Sequence, residues 1–196
     1  MLQFNSKELH LFTTPVWEVM IQNVDNDSIV QYAQGLRQKY PGVSISNRGG
    51  WHSKELDLPL PQALDNLIND LTLFINDYCA QITNIRDLVL GNWWININGK
   101  HDYNAEHDHQ NSVLSAVYYV QVQDDNTGNL VIHRDDSSRY YLGNHRGLSH
   151  FSQQSYVTSP TTGKAVLFPA WTKHSVERNN SDTERISIAF NFVAKE

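Results

Sequence analysis

The spacing of apolar positions changes period once along the chain, and that change sets the expected layout. Behind the cap cluster Asp25-Asn26-Asp27-Ser28, the residues Ile29, Tyr32, Ala33 and Leu36 recur at helical spacing as far as Tyr40-Pro41-Gly42, which predicts a first helix. A second is expected from Pro61 to about Ile82, where Leu64, Leu67, Ile68, Leu71, Phe74, Ile75, Tyr78, Cys79 and Ile82 form a wide apolar stripe. Ahead of both, Leu9 to Val24 alternates around Phe12, Val16 and Trp17 and reads as an edge strand.

After about Leu88 the period is two. Strands are expected over Leu88–Asn98, Val113–Gln121, Asn129–His133, Gln154–Thr158, Lys164–Phe168, Lys173–Glu177 and Arg185–Val193, separated by turn signals such as Asn98-Gly99, Asn126-Thr127-Gly128 and Thr161-Thr162-Gly163. About seven or eight short strands in this pattern imply a jelly roll, so the fold class is mainly β with N-terminal helices packed on one sheet from outside. Two stretches read as loops. Ser44 to Ser53 (SISNRGGWHS) is either a functional loop or a tight turn whose Trp covers the core, and His133 to Ser152 is long enough for a lid or a substrate-contacting segment.

Composition narrows the picture only a little. With 196 residues, 40% hydrophobic and 18% charged, one domain can bury roughly 70% of its unfolded surface. We expect residues 1–87 to supply the first strand and supporting helices, and residues 88–196 the jelly-roll core. A net charge of −6, from 15 Lys+Arg against 21 Asp+Glu, argues against a broad nucleic-acid or membrane surface. The single cysteine, Cys79, excludes an internal disulfide and reads as a buried apolar residue. Without a leader pattern or a membrane-length apolar run, a cytoplasmic location is expected. An exposed first strand could pair with a second copy of the chain.

The chemistry concentrates late in the chain. In an extended backbone residues i and i+2 share a face, so His107 and His109 of HDHQN could grip one metal ion while Asp108 points away. His174, in PAWTKHSVERNN, is the candidate third ligand. Eleven residues later Arg185 and Ser187 share one face of a strand whose other face carries Ile186, Ile188 and Phe190. A guanidinium among apolar neighbours calls for an anion. That anion is either a bound carboxylate or a protein group such as Glu184 or Asp182. Trp93, Trp94 and Trp171 either line this site or belong to the core, and Asn96 and Asn98 alternate toward the same space.

The blocks HDHQNSVLSAVYYV, GNLVIH, GKAVLFPAWTKHSVERNN and ERISIAFNF, together with LFTTPVWEV and SNRGGWHS, resemble the 2-oxoglutarate- and Fe(II)-dependent oxygenases of bacteria and tailed phages. These are a branch of the double-stranded β-helix dioxygenases, a cupin-like jelly roll that also includes prolyl hydroxylases. The resemblance implies that His107, His109 and His174 hold Fe(II) and that Arg185 with Ser187 binds the distal carboxylate of 2-oxoglutarate. Tyr119 matches a cosubstrate-contacting tyrosine, although a one-residue register change would put Tyr118 in its place. Asn96 is a further candidate contact to the cosubstrate. The wider superfamily has His-x-Asp/Glu in the first ligand pair, so His109 stands where a carboxylate would, and a Pro-Arg after the third strand is replaced by His133-Arg134-Asp135-Asp136. The implied reaction consumes O2 and 2-oxoglutarate, releases succinate and CO2, and hydroxylates a small molecule or a protein side chain. Two alternatives stand beside it: a cupin-like three-histidine dioxygenase that does not use 2-oxoglutarate, and a non-catalytic shell around a structural metal.

Overall fold

The first helix begins where the cap cluster predicts: the Asp25 carboxylate accepts from the Ser28 N–H at 3.1 Å, satisfying one of the amides that a helix start leaves open. In the computed structural model, which describes residues 7, 11–54, 59–136 and 152–195, the elements run β1 (Trp17–Met20), α1 (Asn26–Lys39), β2 (Asn47–Arg48), β3 (Trp51–His52), α2 (Gln62–Phe74), a π turn (Ile75–Cys79), α3 (Ala80–Thr83), β4 (Leu88–Asn98), β5 (Tyr103–His107), β6 (Leu114–Gln121), β7 (Leu130–His133), β8 (Ser155–Thr158), β9 (Lys164–Pro169), β10 (His174–Val176) and β11 (Arg185–Ala194). The strands form two antiparallel sheets, a major one in the order β1-β9-β6-β11-β4-β3 and a minor one in the order β2-β5-β10-β7-β8. This is the mainly β, double-stranded β-helix arrangement that the strand spacing and the resemblance call for.

Strand β11 lies between β4 and β6 and pairs with both along most of its length. Its alternation divides the interior in two. Ile186, Ile188, Phe190 and Phe192 face one side, where Ile95, Ile97, Ala116 and Tyr118 of the neighbouring strands join Ile29, Leu64, Leu67, Leu71 and Ile75 of the helical layer in one buried cluster. The opposite side of the sheet meets the minor sheet, where Tyr119, Leu130, Ile132, Val166 and Phe168 make a smaller apolar cluster. At one seam between the sheets, Glu18 of β1 accepts from Tyr156 of β8 at 3.0 Å and pairs with Lys164 of β9 at 3.2 Å.

Four expectations change in detail. Only Trp17–Met20 of the expected first strand is extended in a sheet, pairing with β9; Phe12 instead has a positive φ of 55° and is 99% exposed. The long second helix is interrupted by the π turn, where Asn76 brackets the N–H and C=O of Leu88 at 2.8 Å each and ties the turn to β4. SISNRGGWHS is not a free loop: β2 and β3 join different sheets through Gly49 and Gly50, with φ of 73° and 65°. A Cβ at Gly49 would lie 2.0 Å from a carboxylate oxygen of Asp102, so glycine is required by space as well as by φ. Strand β5 is an addition, hidden in polar sequence. Most of the expected 133–152 lid, residues 137–151, lies outside the described residues. No helix among the described residues is long and apolar enough to cross a membrane.

Phe190 is fully buried between the helices and the major sheet. Phe190→Ala is therefore expected to cost about 3–5 kcal/mol, measured by urea denaturation; a loss no larger than that of an exposed substitution would contradict the described packing.

Candidate active site

Pairing within the minor sheet assembles the three imidazoles. His174, first residue of β10, lies directly opposite His107, last residue of β5. The chain then turns, and the His109 N–H donates to the Ala170 carbonyl at 2.9 Å, holding this backbone against the turn between β9 and β10. As a result the ligand atoms of His107, His109 and His174 all lie within 4.8 Å of one another. Nδ1 of His107 donates to the Ala105 carbonyl at 2.8 Å and Nδ1 of His174 to the Thr172 carbonyl at 2.9 Å. Since a carbonyl can only accept, these bonds set the tautomer and leave each Nε2 with a free lone pair, as metal ligation requires. Burial pushes all three imidazoles below the ordinary histidine range, His109 to about 4 and His174 to about 3, so each is neutral near pH 7. Asp108 stays outside this cluster and lines an outer groove instead.

Across the cavity from the histidines, the major sheet presents a polar row. Ser187 of β11 is the register partner of Tyr119 on β6 and of Asn96 on β4, and Asn96 in turn pairs with His52 on β3. Arg185 begins the next row. Arg185, Ser187, Tyr119, Asn96 and the three histidines line one cavity. The register question is decided: Tyr119 faces this cavity with its hydroxyl unpartnered, whereas Tyr118 faces the helices and donates to Asn26 at 2.9 Å. Burial raises the Tyr119 phenol to about 12, so it remains a donor.

Arg185 is 1% exposed. Its Nη1 donates to the carbonyls of Thr127 and Gly128, its buried Nε has no partner, and among the described residues no carboxylate pairs with it. The two acids proposed as partners are engaged elsewhere, Glu184 with Arg37 and Asp182 with Lys100, at 2.6 Å each. Burial of a cation without an anion depresses its pKa, and Tyr119 and the more distant Asp102 act against that fall. A cavity ending in an uncompensated guanidinium at one end and three neutral imidazoles at the other fits a small dianion that also ligates a metal.

Residues 92–191, just over half the chain, match the family model described as "Putative 2OG-Fe(II) oxygenase". The chain belongs to this 2-oxoglutarate/Fe(II) oxygenase family. Its cofactors are therefore Fe(II) and 2-oxoglutarate, and the readings without a cosubstrate or without catalysis give way. No curated protein matches the chain in sequence. Among solved structures it is similar to a Pseudomonas putida prolyl-4-hydroxylase (17% identity, TM-score 0.62, 95% of this chain and 96% of that one). It is also similar to the epimerase SnoN in complex with Fe3+, alpha ketoglutarate and nogalamycin RO (12%, 0.66, 91% and 78%), and to a Trichoplax adhaerens prolyl hydroxylase bound to a hypoxia inducible factor peptide fragment (13%, 0.65, 91% and 83%). At these identities the likeness concerns the fold.

Some site residues fall elsewhere than expected. Asn98 faces the same side of β4 as Asn96 but does not line the cavity, because the Gly50 turn covers it: its Nδ2 would be 3.0 Å from a Cβ there. Trp171 is 63% exposed and belongs neither to the core nor to the cavity. Trp93 packs on the helix-side core and rims the outer groove, while Trp94 lines both cavities. The groove, of about 900 Å3, opens on His107 and His109 and is also lined by Ile45, Arg48, His52, Glu106 and Asn191. Asn191 and Ile45 carried no individual signal in the sequence; Asn191 is placed by the pairing of β11, and Ile45 by the bend ahead of β2, where its N–H donates to the Asn47 side chain at 2.8 Å.

An unfolded histidine takes its proton near pH 6.5, whereas folded His109 and His174 do so only near 4 and 3. Between those values the unfolded chain binds more protons, so stability rises with pH. The melting temperature of metal-free oxygenase is expected to fall from pH 7 to pH 5, and less steeply in His109→Gln and His174→Gln. A flat profile in the parent protein would contradict the buried neutral imidazoles.

Proposed function

We propose that this oxygenase is a hydroxylase, built as one domain over residues 1–196, whose Fe(II) is held by His107, His109 and His174 and whose 2-oxoglutarate is seated by Arg185, Ser187, Tyr119 and Asn96. The observation that carries this reading is the buried guanidinium of Arg185 without a carboxylate, in the same cavity as three neutral imidazoles. When bound, iron would activate O2 as the oxidant while 2-oxoglutarate supplied two electrons, one oxygen atom ending in succinate as CO2 is released and the other inserted into a substrate C–H bond.

The residues of the chain bind and orient. Arg185 takes the distal carboxylate through charge-assisted bonds, and the Ser187 and Tyr119 hydroxyls donate beside it. Asn96, whose Oδ1 has no protein partner, contributes an amide to the same wall. The keto acid end is thereby directed toward the imidazoles. With three neutral ligands and the distal carboxylate paired to Arg185, only the keto-acid carboxylate would offset the metal's double charge, so the loaded site would keep a net charge of about +1. Buried aromatic and aliphatic side chains such as Phe168 and Leu130 keep bulk water from the inner cavity.

The substrate enters by the outer groove, which meets the inner cavity at Trp94, His107 and His109. Its size and mixed lining suit a small molecule or a protein side chain, the two kinds of partner present in the SnoN and Trichoplax complexes.

Anaerobic protein loaded with Fe(II) and 2-oxoglutarate is expected to show a weak visible charge-transfer band, and succinate should form on exposure to air. Arg185→Ala is expected to weaken 2-oxoglutarate binding on the order of 10–100-fold while metal affinity holds. Equal losses of both, or no band in fully metallated protein, would refute the assignment.

A further inference from the structure

The three histidines are not held alike. His107 and His174 each have a ring nitrogen fixed by a backbone carbonyl, at 2.8 and 2.9 Å. The ring of His109 makes no hydrogen bond with any described residue; only its backbone is anchored, through Ala170. What borders the His109 ring instead is aromatic. Trp94 lies against it with centroids 5.3 Å apart and planes inclined at 59°, and the rings of His107 and His174 close the other sides at 5.0 and 4.9 Å.

Trp94 is itself backed. His52 stacks on the indole at 5.4 Å with planes 10° apart, and His52 is 4% exposed, with Nδ1 donating to the Ser53 carbonyl at 2.8 Å. Across the strand, the register partner of Trp94 is Ala189, and that small side chain leaves room for the indole over the sheet. His52, Trp94 and His109 thus form a continuous run of ring contacts from β3 to the histidine cluster, stacked between His52 and Trp94 and tilted between Trp94 and His109. Burial also lowers the His52 pKa, so near neutral pH the stack carries no added charge.

We propose that Trp94, braced by His52, is the positioning residue for His109, replacing with an aromatic wall the backbone carbonyl that orients each of the other two ligands. A ring free of hydrogen bonds can rotate about χ1 and χ2; the tilted indole on one side and two imidazoles on the other remove most of that freedom, which would otherwise be lost on metal binding. Preorganisation of this kind is commonly worth tenfold or more in metal affinity. The inference rests on the reading of His109 as a ligand.

Co(II) serves as the probe, with affinity read by chelator competition, coordination by the visible ligand-field spectrum and folding by circular dichroism. Trp94→Leu is expected to weaken Co(II) binding about tenfold and to change the spectrum, with Trp94→Phe recovering most of both. In a His109→Ala background, Trp94→Leu should cost nothing further, because the ring it orients is gone. An equal cost in both backgrounds, or a folded Trp94→Leu protein that binds Co(II) like the parent, overturns the inference and leaves the ligand assignment standing. If His109→Ala alone leaves affinity unchanged, the ligand assignment fails and this inference with it. Should Trp94→Leu not fold, His52→Ala provides the same cycle: a smaller loss confined to the His109-containing protein supports the role, and no loss in either background refutes it.

Discussion

The pairing of β11 between β4 and β6 is the constraint on which the rest depends. Side chains alternate strictly along a strand, so once Ser187 is opposite Tyr119 and Asn96, every neighbour is assigned a side. Ile186, Ile188 and Phe190 go to the helices, and Arg185, Ser187 and Ala189 to the space between the sheets. A slip of one residue would exchange the two sets, turning the polar row of the cavity toward the apolar helical layer. The apolar side holds that register: those side chains, with the helices packed on them, lose far more from a slip than the polar row gains.

The cost falls on the polar side. A guanidinium that is 1% exposed and meets, among the described residues, two carbonyl oxygens and no carboxylate is a destabilising element of the free protein. The same is true of the buried hydroxyl of Tyr119, the amide oxygen of Asn96 and three imidazoles held close together without charge. Arg185 Nε, the Tyr119 hydroxyl and the Asn96 amide oxygen lack a protein partner among the described residues, and with the open imidazole nitrogens they suit the proposed ligand, anionic at one end and metal-bound at the other. Such strain is tolerated because the helix-side core is large and separate from the site.

If His109 is a ligand, as proposed, its place in the position of a carboxylate has structural consequences beyond charge. A carboxylate can be held by hydrogen bonds to both oxygens, whereas this imidazole is held through its faces and edges by other rings. On the proposed role of Trp94, the stretch SISNRGGWHS bears on the metal site although it lies more than fifty residues earlier in the chain: its Gly-Gly turn carries the chain from the minor to the major sheet and places His52 behind Trp94.

Much of this protein was readable from its residues alone. The change of period near Leu88, the helical stripe of α2, the split faces of β11 and the candidacy of His107, His109, His174 and Arg185 for one site are local properties of the chain, expressed wherever a strand or helix forms. Strands β2, β3 and β5 escaped because they are short and polar; their extended form comes from partners contributed by distant segments. The choice between Tyr118 and Tyr119, the fate of Asn98 and Trp171, and the engagement of Glu184 with Arg37 were likewise settled only by the fold. Alternation along a strand states which residues share a face, but which face looks inward, and what stands opposite, is decided by pairing between strands far apart in sequence.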